Sequence, residues 1–509
     1  MTGTRNIILT FAGVSPLLLA FSGCSPRPQR PNILFVIADD MSYPYASAYG
    51  SRCVETPGFD YVAEHGAIFN NAYVTSPGSS PSRASILTGL YPWQIEEAGT
   101  HASCFPADYV CYPDVFKDNG YAIGYTGKGW GPGNWEISGR PYNPAGPVYN
   151  DIKLDPPYSG ISKVDYSANF RKFLDDRPTD SPFCFWLGTH EPHRPYENMS
   201  WIKAGDSIDV AEVPGFLPDA DEVRSDILDY AVEIEWFDSH LLACIRELEK
   251  RNELDNTIII VMADNGMSFP HAKANCYEPG LHVPMAICWG NRISAGKEIR
   301  ELVSGVDIFP TLLEAAGIEW KNAHTLVGQS MMPLLDGREK DWTTEDVFSG
   351  RERHSCSRYG NSGYPMRSIR SGSYLLIHNF HPERYPAGDP QALDKKGRPG
   401  EMHKAYFDID AAPSKDYLTD HRNDPDVKAY FDAAVALRPE FEMYNIDNDP
   451  SCMNDISDDP AVRDIFEELK AKLHERLVMT GDTRIGDNPE IWESYPRLEG
   501  KMRQFPKTE

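Results

Sequence analysis

The chain has 509 residues, of which 41% are hydrophobic and 11% aromatic, so it is long and apolar enough for one large α/β domain and a smaller one. Its formal net charge of −26 argues against nucleic acid or an anionic membrane surface as a partner. The ten cysteines form no Cys-x-x-Cys pair, so a zinc site is not expected.

The N-terminus is typical of a targeting segment. An apolar run over residues 7–21, short for a membrane span, ends at Ser22-Gly23-Cys24. This pattern predicts a bacterial lipoprotein signal peptide over residues 1–24, with Cys24 lipidated; cleavage by the ordinary signal peptidase and a buried N-terminal helix are the alternatives. Residues 25–31, with three prolines, would form a stiff tether. We therefore expect a lipid-anchored protein of the bacterial periplasm or outer membrane.

Expected strands and helices alternate along the first half of the chain. The strands are almost wholly apolar, as in a parallel sheet covered on both faces, and the long helix has one apolar face. The strands are residues 32–38, 121–125, 183–187 and 257–262, and the helices are residues 57–65 and 221–251. This alternation predicts a large, doubly wound, mostly parallel sheet flanked by helices.

The C-terminal third has a different composition, with frequent glycine, proline and charge and only short apolar runs. Residues 366–379 are expected to form a hairpin turning at Ser371-Gly372, and residues 459–477 an amphipathic helix. We predict a large domain over residues 32–340 and a smaller α+β subdomain, packed on it, over residues 341–509.

Five of the cysteines have features that point to structural roles. Cys104 and Cys111 are near enough in sequence to form a disulfide in an oxidising periplasm. Cys184, Cys244 and Cys288 lie in apolar runs and are expected to be buried thiols.

The stretch Ser79-Ser80-Pro81-Ser82-Arg83 has the features of a helix start. Pro81 suits the first turn, because it has no N–H to lose there. Arg83 lies one turn after Ser79 on the same face, and Ser79 lies at the positive end of the helix, where free N–H groups favour an anion. A nucleophile backed by a guanidinium suits attack on a tetrahedral oxyanion, whereas the simpler interpretation is a capped surface helix.

This stretch, followed by Leu87-Thr88-Gly89, resembles the sulfatase signature (Cys or Ser)-x-Pro-Ser-Arg. The resemblance implies an alkaline-phosphatase-like fold, with residues 32–340 as the sulfatase catalytic domain. It also implies that a formylglycine-generating maturase converts Ser79 to formylglycine, whose hydrated aldehyde attacks sulfur. The substrate implied is a sulfated glycan.

Two of the expected strands end in oxygen-bearing side chains. Asp39 and Asp40 follow the first strand, and Asp264 and Asn265 follow the last. Parallel strands would bring these ends together, and hard oxygen ligands suit Ca²⁺ or Mg²⁺ and disfavour zinc. An acidic pair after a strand is otherwise a helix cap or a turn. The resemblance implies one Ca²⁺, held by these four residues and by an oxygen of residue 79.

The resemblance places three more residues at the sulfate. Lys128 and Lys273 would contact sulfate oxygens, and His190 would act as the general acid that protonates the leaving group. With Ser79 and Arg83 they form the expected catalytic set. The chain departs from the family at Trp130, because family members usually have histidine there, in the sequence Gly-Lys-x-His.

Several short stretches look closest to the sulfamidase branch of the family. They are residues 216–219, 264–270, 364–368 and 377–379. The resemblance implies removal of the N-sulfate of glucosamine in heparan or heparin fragments, by cleavage of the S–N bond. Contacts to the sugar are expected from His193, Arg194, Arg353 and His354.

Other functions stay open at this point. An O-sulfatase acting on a glycosaminoglycan or another sulfated glycan would share these features. A phosphatase or phosphodiesterase would use unmodified Ser79 as its nucleophile, normally with a two-metal site. A non-catalytic, lipid-anchored glycan-binding protein would have a decayed site, with Trp130 as its sign. The oligomeric state is also open, with a homodimer among the options.

Overall fold

The structure is a computed structural model that describes residues 1–3, 30–179, 181–394 and 396–498. Most of the predicted signal peptide, its Cys24 and most of the tether therefore lie outside the described residues. Within the described residues, no helix is both long enough and apolar enough to cross a membrane.

The strands are mostly short, and those at the centre of the large sheet are almost wholly apolar. The strands are β1 (Asn32–Ala38), β2 (Gly66–Phe69), β3 (Ala72–Tyr73), β4 (Ala122–Gly127), β5 (Phe183–Gly188), β6 (Thr257–Ala263), β7 (Met285–Cys288), β8 (Lys297–Ile299), β9 (Val303–Ser304), β10 (Asp346–Arg351), β11 (Met366–Ser371), β12 (Tyr374–Asn379) and β13 (Phe441–Asn445). All side chains of β1, β5 and β6 are buried, because helices cover both faces of their sheet.

The helices range from single turns to one helix of 30 residues. They are α1 (Pro57–Glu64), α2 (Ser79–Thr88), α3 (Tyr112–Asp118), α4 (Tyr166–Asp176), α5 (Ser200–Ala204), α6 (Asp221–Lys250), α7 (Glu278–Leu281), α8 (Ile308–Ala316), α9 (Met332–Asp336), α10 (Pro413–Asp420), α11 (Lys428–Val435), α12 (Arg463–Met479) and α13 (Ile491–Ser494). The predicted helices 57–65 and 221–251 correspond to α1 and α6 to within one residue.

The main sheet has seven strands among the described residues, in the order β4-β5-β1-β6-β7-β2-β8. The four strands from β4 to β6 are parallel, with Leu34 of β1 paired to Phe185 of β5 and to Ile259 of β6. Antiparallel pairing enters only around β7, which runs against β6 and β2. The predicted fold class, a large mostly parallel sheet flanked by helices, is therefore confirmed.

A smaller antiparallel sheet lies in the C-terminal part, in the order β10-β11-β12-β13. The predicted hairpin is present as β11 and β12, and Ile369 and Leu376 pack against Phe466 and Leu469 of α12. The closing helix begins four residues later than expected, because Pro460–Val462 form a separate 3₁₀ turn before it. The predicted border between residues 340 and 341 lies just before β10 and stays a prediction about folding units.

The expectations about cysteine have mixed outcomes. Cys184, Cys244 and Cys288 are buried free thiols, as predicted. The expected disulfide between Cys104 and Cys111 is wrong, since both are free. Cys111 is the N-cap of α3, whereas Cys104 forms an isolated β-bridge with Asn134, so the two belong to different local structures.

The carboxyl ends of the parallel strands lie along one edge of the main sheet. Asp39 follows β1, Lys128 follows β4, His190 follows β5 and Asp264 follows β6. In open α/β sheets this edge is where ligands bind. The N-terminus of α2, with Ser79 as its first residue, lies at the same edge.

Candidate active site

Ser79 is the first residue of α2 and is only 1% exposed. Its hydroxyl donates a hydrogen bond to Oδ1 of Asp39 over 2.8 Å, and its Oγ lies 3.3 Å from Oδ1 of Asn265. Pro81 in the first turn is compatible with the helix, because it needs no N–H partner there. The start of α2 therefore places the Ser79 hydroxyl beside the carboxylates that follow the strands.

Arg83 connects that helix to three segments of the sheet edge. Its Nε donates to Oδ2 of Asp264 over 2.6 Å, and its Nη1 donates to the carbonyls of Lys128 and Gly129 over 2.9 and 3.1 Å. Its Nη2 lies 3.5 Å from Oδ1 of Asp39. The side chain of Arg83 is fully buried, so it neutralises and orients the carboxylates from the protein interior. It does not line the cavity, where other cations lie.

Asp39, Asp40 and Asp264 bring one carboxylate oxygen each to within 4.8 Å of one another. Asn265 donates from Nδ2 to Oδ1 of Asp40 over 2.7 Å, and the backbone N–H of Asp40 donates to Oδ1 of Asp264 over 3.0 Å. Asp40 has a positive φ of 71°, a strained conformation for a residue with a Cβ and one often found at functional sites. The four residues predicted as metal ligands therefore lie together.

The buried carboxylate cluster carries more negative charge than such a site can accommodate without nearby cations. Burial, together with the nearby charge of Asp39, raises the pKa of Asp264 to about 6. Burial also opposes the charge on Asp39, yet Lys128 and Arg83 hold the pKa of that carboxyl well below its usual range. An all-oxygen set of this density fits a hard divalent cation.

Two lysines face these carboxylates. Lys128 donates from Nζ to both oxygens of Asp39, over 2.6 and 2.8 Å. Lys273 donates to Oδ2 of Asp40 over 2.5 Å and to Oδ2 of Asp410 over 3.2 Å. Gly127 has φ of 72°, and a Cβ there would lie 1.9 Å from the carbonyl of Gly188, so the turn that presents Lys128 requires glycine.

A cavity of about 810 Å³ opens above these groups. Eight of the predicted site residues line it: Asp39, Ser79, Lys128, His190, His193, Arg194, Lys273 and His354. His193 lies with its Nε2 3.8 Å from Oδ2 of Asp40, and the backbone N–H of His190 donates to the hydroxyl of Tyr166. The structure thus gathers the expected nucleophile, lysines and histidines around one space.

The four residues expected to contact the sugar are placed differently from one another. His193 and His354 line the cavity. Arg194 also reaches its wall, but its guanidinium is held by both oxygens of Asp226 over 2.7 Å and by the carbonyl of Ser268. Arg353 does not line this cavity, and its Nη2 donates to the carbonyl of Tyr495. Their placement therefore favours a structural role for the two arginines.

Sequence reasoning missed several residues of the cavity wall. Asp410, His101 and Phe407 line it but come from loops without a recognisable motif. The rings of His101 and His354 lie 4.5 Å apart beside Gly78, and burial with the charge of Lys273 lowers the pKa of His354 to about 3. The loop with His101 and the loop with His354 meet at the start of α2, a contact that the sequence alone does not predict.

Comparison with known proteins assigns the class of this site. The family description "Sulfatase" matches residues 31–318, more than half of the chain, so the chain belongs to the sulfatase family. A second description, "N-sulphoglucosamine sulphohydrolase, C-terminal", matches residues 270–424. The family resemblance drawn from the sequence is therefore confirmed, and the protein is a sulfatase. Sulfatases generally use a formylglycine and a metal ion, and the acidic cluster described above could bind such an ion.

Individual relatives agree with this assignment. Human N-sulphoglucosamine sulphohydrolase is 26% identical over 492 residues, which cover 90% of this chain and 91% of that protein. The N-acetylglucosamine-6-O-sulfatase of Bacteroides thetaiotaomicron is 25% identical over 530 residues, covering 81% and 91%. A solved structure in complex with its substrate D-glucosamine-2-N,6-O-disulfate superimposes with a TM-score of 0.64 at 20% identity, covering 91% of this chain and 99% of that one. The last likeness concerns the fold alone.

Proposed function

We propose that this sulfatase removes the N-sulfate of glucosamine in heparan or heparin fragments. The observation that carries the proposal is the C-terminal match over residues 270–424, because this segment supplies Lys273, His354 and Asp410 to the cavity wall. The human relative, named for the same reaction, also aligns over 90% of the chain.

The residues of the cavity suit a sulfate group. We infer that Lys128 and Lys273 bind its oxygens, since they are the two lysines among the described residues that line the cavity, and carboxylates hold both in place. The N-terminus of α2 adds its partial positive charge. An anion can therefore bind despite the net charge of −26, because Lys128, Lys273 and the N-terminus of α2 supply positive charge at the cavity.

His190 is the group we propose as the general acid. It lies just beyond β5 and lines the cavity, so a substrate can reach its ring. Burial and the charge of Lys128 lower the pKa of His190 to about 4, so its ring would take up the proton that it donates when the anionic sulfate group is bound. Its proton would go to the atom that leaves sulfur, and in an N-sulfate that atom is nitrogen.

Two added groups complete the proposed chemistry. Asp39, Asp40, Asp264 and Asn265 with residue 79 would hold one Ca²⁺, and Ser79 would be converted by a maturase to formylglycine. When present, the aldehyde hydrate supplies the nucleophile and the cation polarises the sulfate and lowers the pKa of the attacking hydroxyl. Arg83 and Lys128 keep the carboxylates in place for that cation.

An O-sulfatase acting on a glycosaminoglycan is the main alternative, and the 6-O-sulfatase relative supports it. A two-metal phosphatase using unmodified Ser79 has less support. A second group of possible ligands, Asp40, His193 and Asp410, does exist, but the ammonium of Lys273 lies between Asp40 and Asp410. That ammonium supplies the positive charge that a second ion would otherwise bring.

We also propose, from the N-terminal sequence, that the protein is anchored by lipid at Cys24 in the bacterial periplasm or outer membrane. A sulfated glycan and the maturase would be its partners there.

Two experiments test the proposal. Mass spectrometry of the tryptic peptide ending at Arg83 should find residue 79 lighter than serine by two hydrogens, or as the corresponding hydrate. The modified enzyme should then release sulfate from N-sulfated glucosamine faster than from disaccharides with a single 6-O- or 2-O-sulfate. Faster release from an O-sulfated sugar would replace the proposed substrate, and an unmodified Ser79 in active enzyme would replace the nucleophile.

A further inference from the structure

Asp410 is a carboxylate in a cavity whose other polar wall groups are mostly cationic or neutral. Of the described residues that line the cavity, only Asp39 and Asp410 are acidic, and Asp39 is occupied by Ser79 and Lys128. Oδ2 of Asp410 accepts from Lys273, while no hydrogen bond from another described residue reaches Oδ1. Its side chain is 33% exposed, so Oδ1 is open to a ligand.

Asp410 lies at the sulfate end of the cavity. Carboxylate oxygens of Asp410 and Asp40 and a ring nitrogen of His193 lie within 4.8 Å of one another. Lys273, the proposed sulfate ligand, contacts Asp410 and Asp40 at the same time. With the sulfate bound at Lys273, the substrate atoms nearest Asp410 would be those bonded to the sulfate and not those at the far side of the sugar.

A carboxylate at this position repels an anion unless it meets a hydrogen-bond donor or a positive charge. Lys273 and His193 keep it ionised, since they hold the pKa of Asp410 below its usual range against the effect of burial. An ester oxygen has no hydrogen to donate. A sulfamate nitrogen carries an N–H, which can donate to Oδ1.

The two hydrolyses also differ in the charge they create. In a sulfamate the S–N bond breaks, the electron pair stays on nitrogen, and R–NH–SO₃⁻ with water gives R–NH₃⁺ and SO₄²⁻. In an ester the S–O bond breaks, and R–O–SO₃⁻ with water gives the neutral alcohol and HSO₄⁻. Only the first reaction develops a positive charge that a carboxylate stabilises.

We propose that Asp410 is a specificity-determining residue that binds the nitrogen of an N-sulfated amino sugar and favours the sulfamate over the sulfate ester. The inference rests on the proposed function for its substrate. The role of Asp410 is nevertheless a separate question from the substrate of the enzyme, because it concerns which group of the sugar Asp410 contacts.

A binding experiment tests this contact without turnover. In the Ser79→Ala protein, titration calorimetry would compare glucosamine, at a pH where its amine is protonated, with N-acetylglucosamine. We expect glucosamine to bind on the order of tenfold more tightly, the size of one partly desolvated charge pair. Asp410→Asn in the same background should remove this preference, and Asp410→Glu should retain part of it. Equal binding of the two sugars by Ser79→Ala would overturn the proposal.

A second experiment measures turnover by the Asp410→Asn variant of the modified enzyme. The kcat/KM for N-sulfated glucosamine should fall on the order of a hundredfold and that for a 6-O-sulfated sugar less than fivefold. Inhibition by inorganic sulfate should stay unchanged, which separates this role from positioning of Lys273. Equal losses on both substrates, or weakened sulfate inhibition of the same size, would overturn it. A wild-type enzyme that cleaves only O-sulfates would refute the proposed function and the preference for the sulfamate, and the calorimetry would still test whether Asp410 contacts the sugar nitrogen.

Discussion

The indole nitrogen of Trp130 donates a hydrogen bond to the backbone carbonyl of Ser80 over 3.0 Å. This bond joins the loop after β4, which carries Lys128, to the first turn of α2, which carries Ser79. The ring is 3% exposed and packs edge-on against Phe105 with centroids 5.1 Å apart. Trp130 therefore supports the N-terminus of α2, at the position where family members usually have histidine.

Replacing Trp130 should affect stability more than chemistry. Trp130→Phe keeps most of the packing and loses the hydrogen bond, so we expect about 1 kcal/mol lower stability and a modest fall in kcat. Trp130→His removes much more buried surface, so its cost should be about 3 kcal/mol or more. Urea unfolding and steady-state rates would measure both. A Trp130→His protein as stable as the wild type and faster would contradict this structural role.

Ser79→Ala should abolish sulfate release, because it removes the side chain proposed to become the nucleophile, whose oxygen lies 2.8 Å from Asp39. Stability should change by only about 1 kcal/mol, the value of one hydrogen bond. Ser82→Ala is a matched control on the same helix, since the Ser82 hydroxyl is buried with no hydrogen-bond partner among the described residues. Sulfate release and thermal melting would be compared for both. Near-normal activity of Ser79→Ala would show that another group is the nucleophile.

The parts of this molecule that could be predicted from the sequence are those coded locally. Apolar runs identified β1 and β6 because a parallel strand buried on both faces has no polar positions. The residue after such a strand lies at the ligand-binding edge, so the proximity of Asp39 and Asp264 followed from topology alone.

The residues that escaped prediction are brought to the cavity by tertiary packing. Asp410 meets Lys273 across 137 residues of sequence, and its loop has no periodicity that distinguishes it from an ordinary turn. The sequence does not pair Arg194 with Asp226, because Asp226 lies on a helix 32 residues away. The short sequence spacing between Cys104 and Cys111 suggested a disulfide. In the structure Cys111 is the N-cap of α3, and both thiols are free.

Arg83 should be among the most sensitive residues for stability. Arg83→Met leaves the carboxylate of Asp264 buried without its partner, and breaking a buried ion pair from one side costs about 3–5 kcal/mol. Arg463→Met is the control, because Arg463 lies 3.5 Å from Glu467 on the surface and such pairs contribute about 0–1 kcal/mol. Urea midpoints would be measured for both. Equal urea midpoints for the two variants would show that the buried ion pair of Arg83 contributes no more to stability than the surface pair.

Removal of divalent cations should destabilise the protein. A cation that binds only the native cluster of Asp39, Asp40 and Asp264 stabilises it by about 3 kcal/mol at a hundred times its Kd, which corresponds to about 3–5 °C in Tm for a protein of this size. Melting would be followed in chelator and after return of Ca²⁺, Mg²⁺ or Zn²⁺. Ca²⁺ should restore the Tm best, also in Ser79→Ala, since four of the proposed ligands remain. An unchanged Tm in chelator would exclude the site.

Glu233 gives a prediction about pH. It lies on α6, is 2% exposed, and has no side-chain hydrogen bond to another described residue. Burial, with the nearby charges of Glu191 and Asp229, raises its pKa to about 9 from the usual 4.5. The folded protein therefore keeps a proton that the unfolded chain releases, so this contribution to stability is complete below pH 4.5 and is lost as the pH rises towards 9.

Glu233→Gln removes that titration while keeping the shape of the side chain. At pH 8 the variant should be more stable than the wild type by about 2 kcal/mol or more, and below pH 4.5 the two should be nearly equal. Urea unfolding at a series of pH values would measure the difference, with Glu222→Gln on the exposed side of α6 as the control that stays flat. A variant that is less stable than the wild type at pH 8 would show that the carboxylate of Glu233 is ionised and paired in the folded protein.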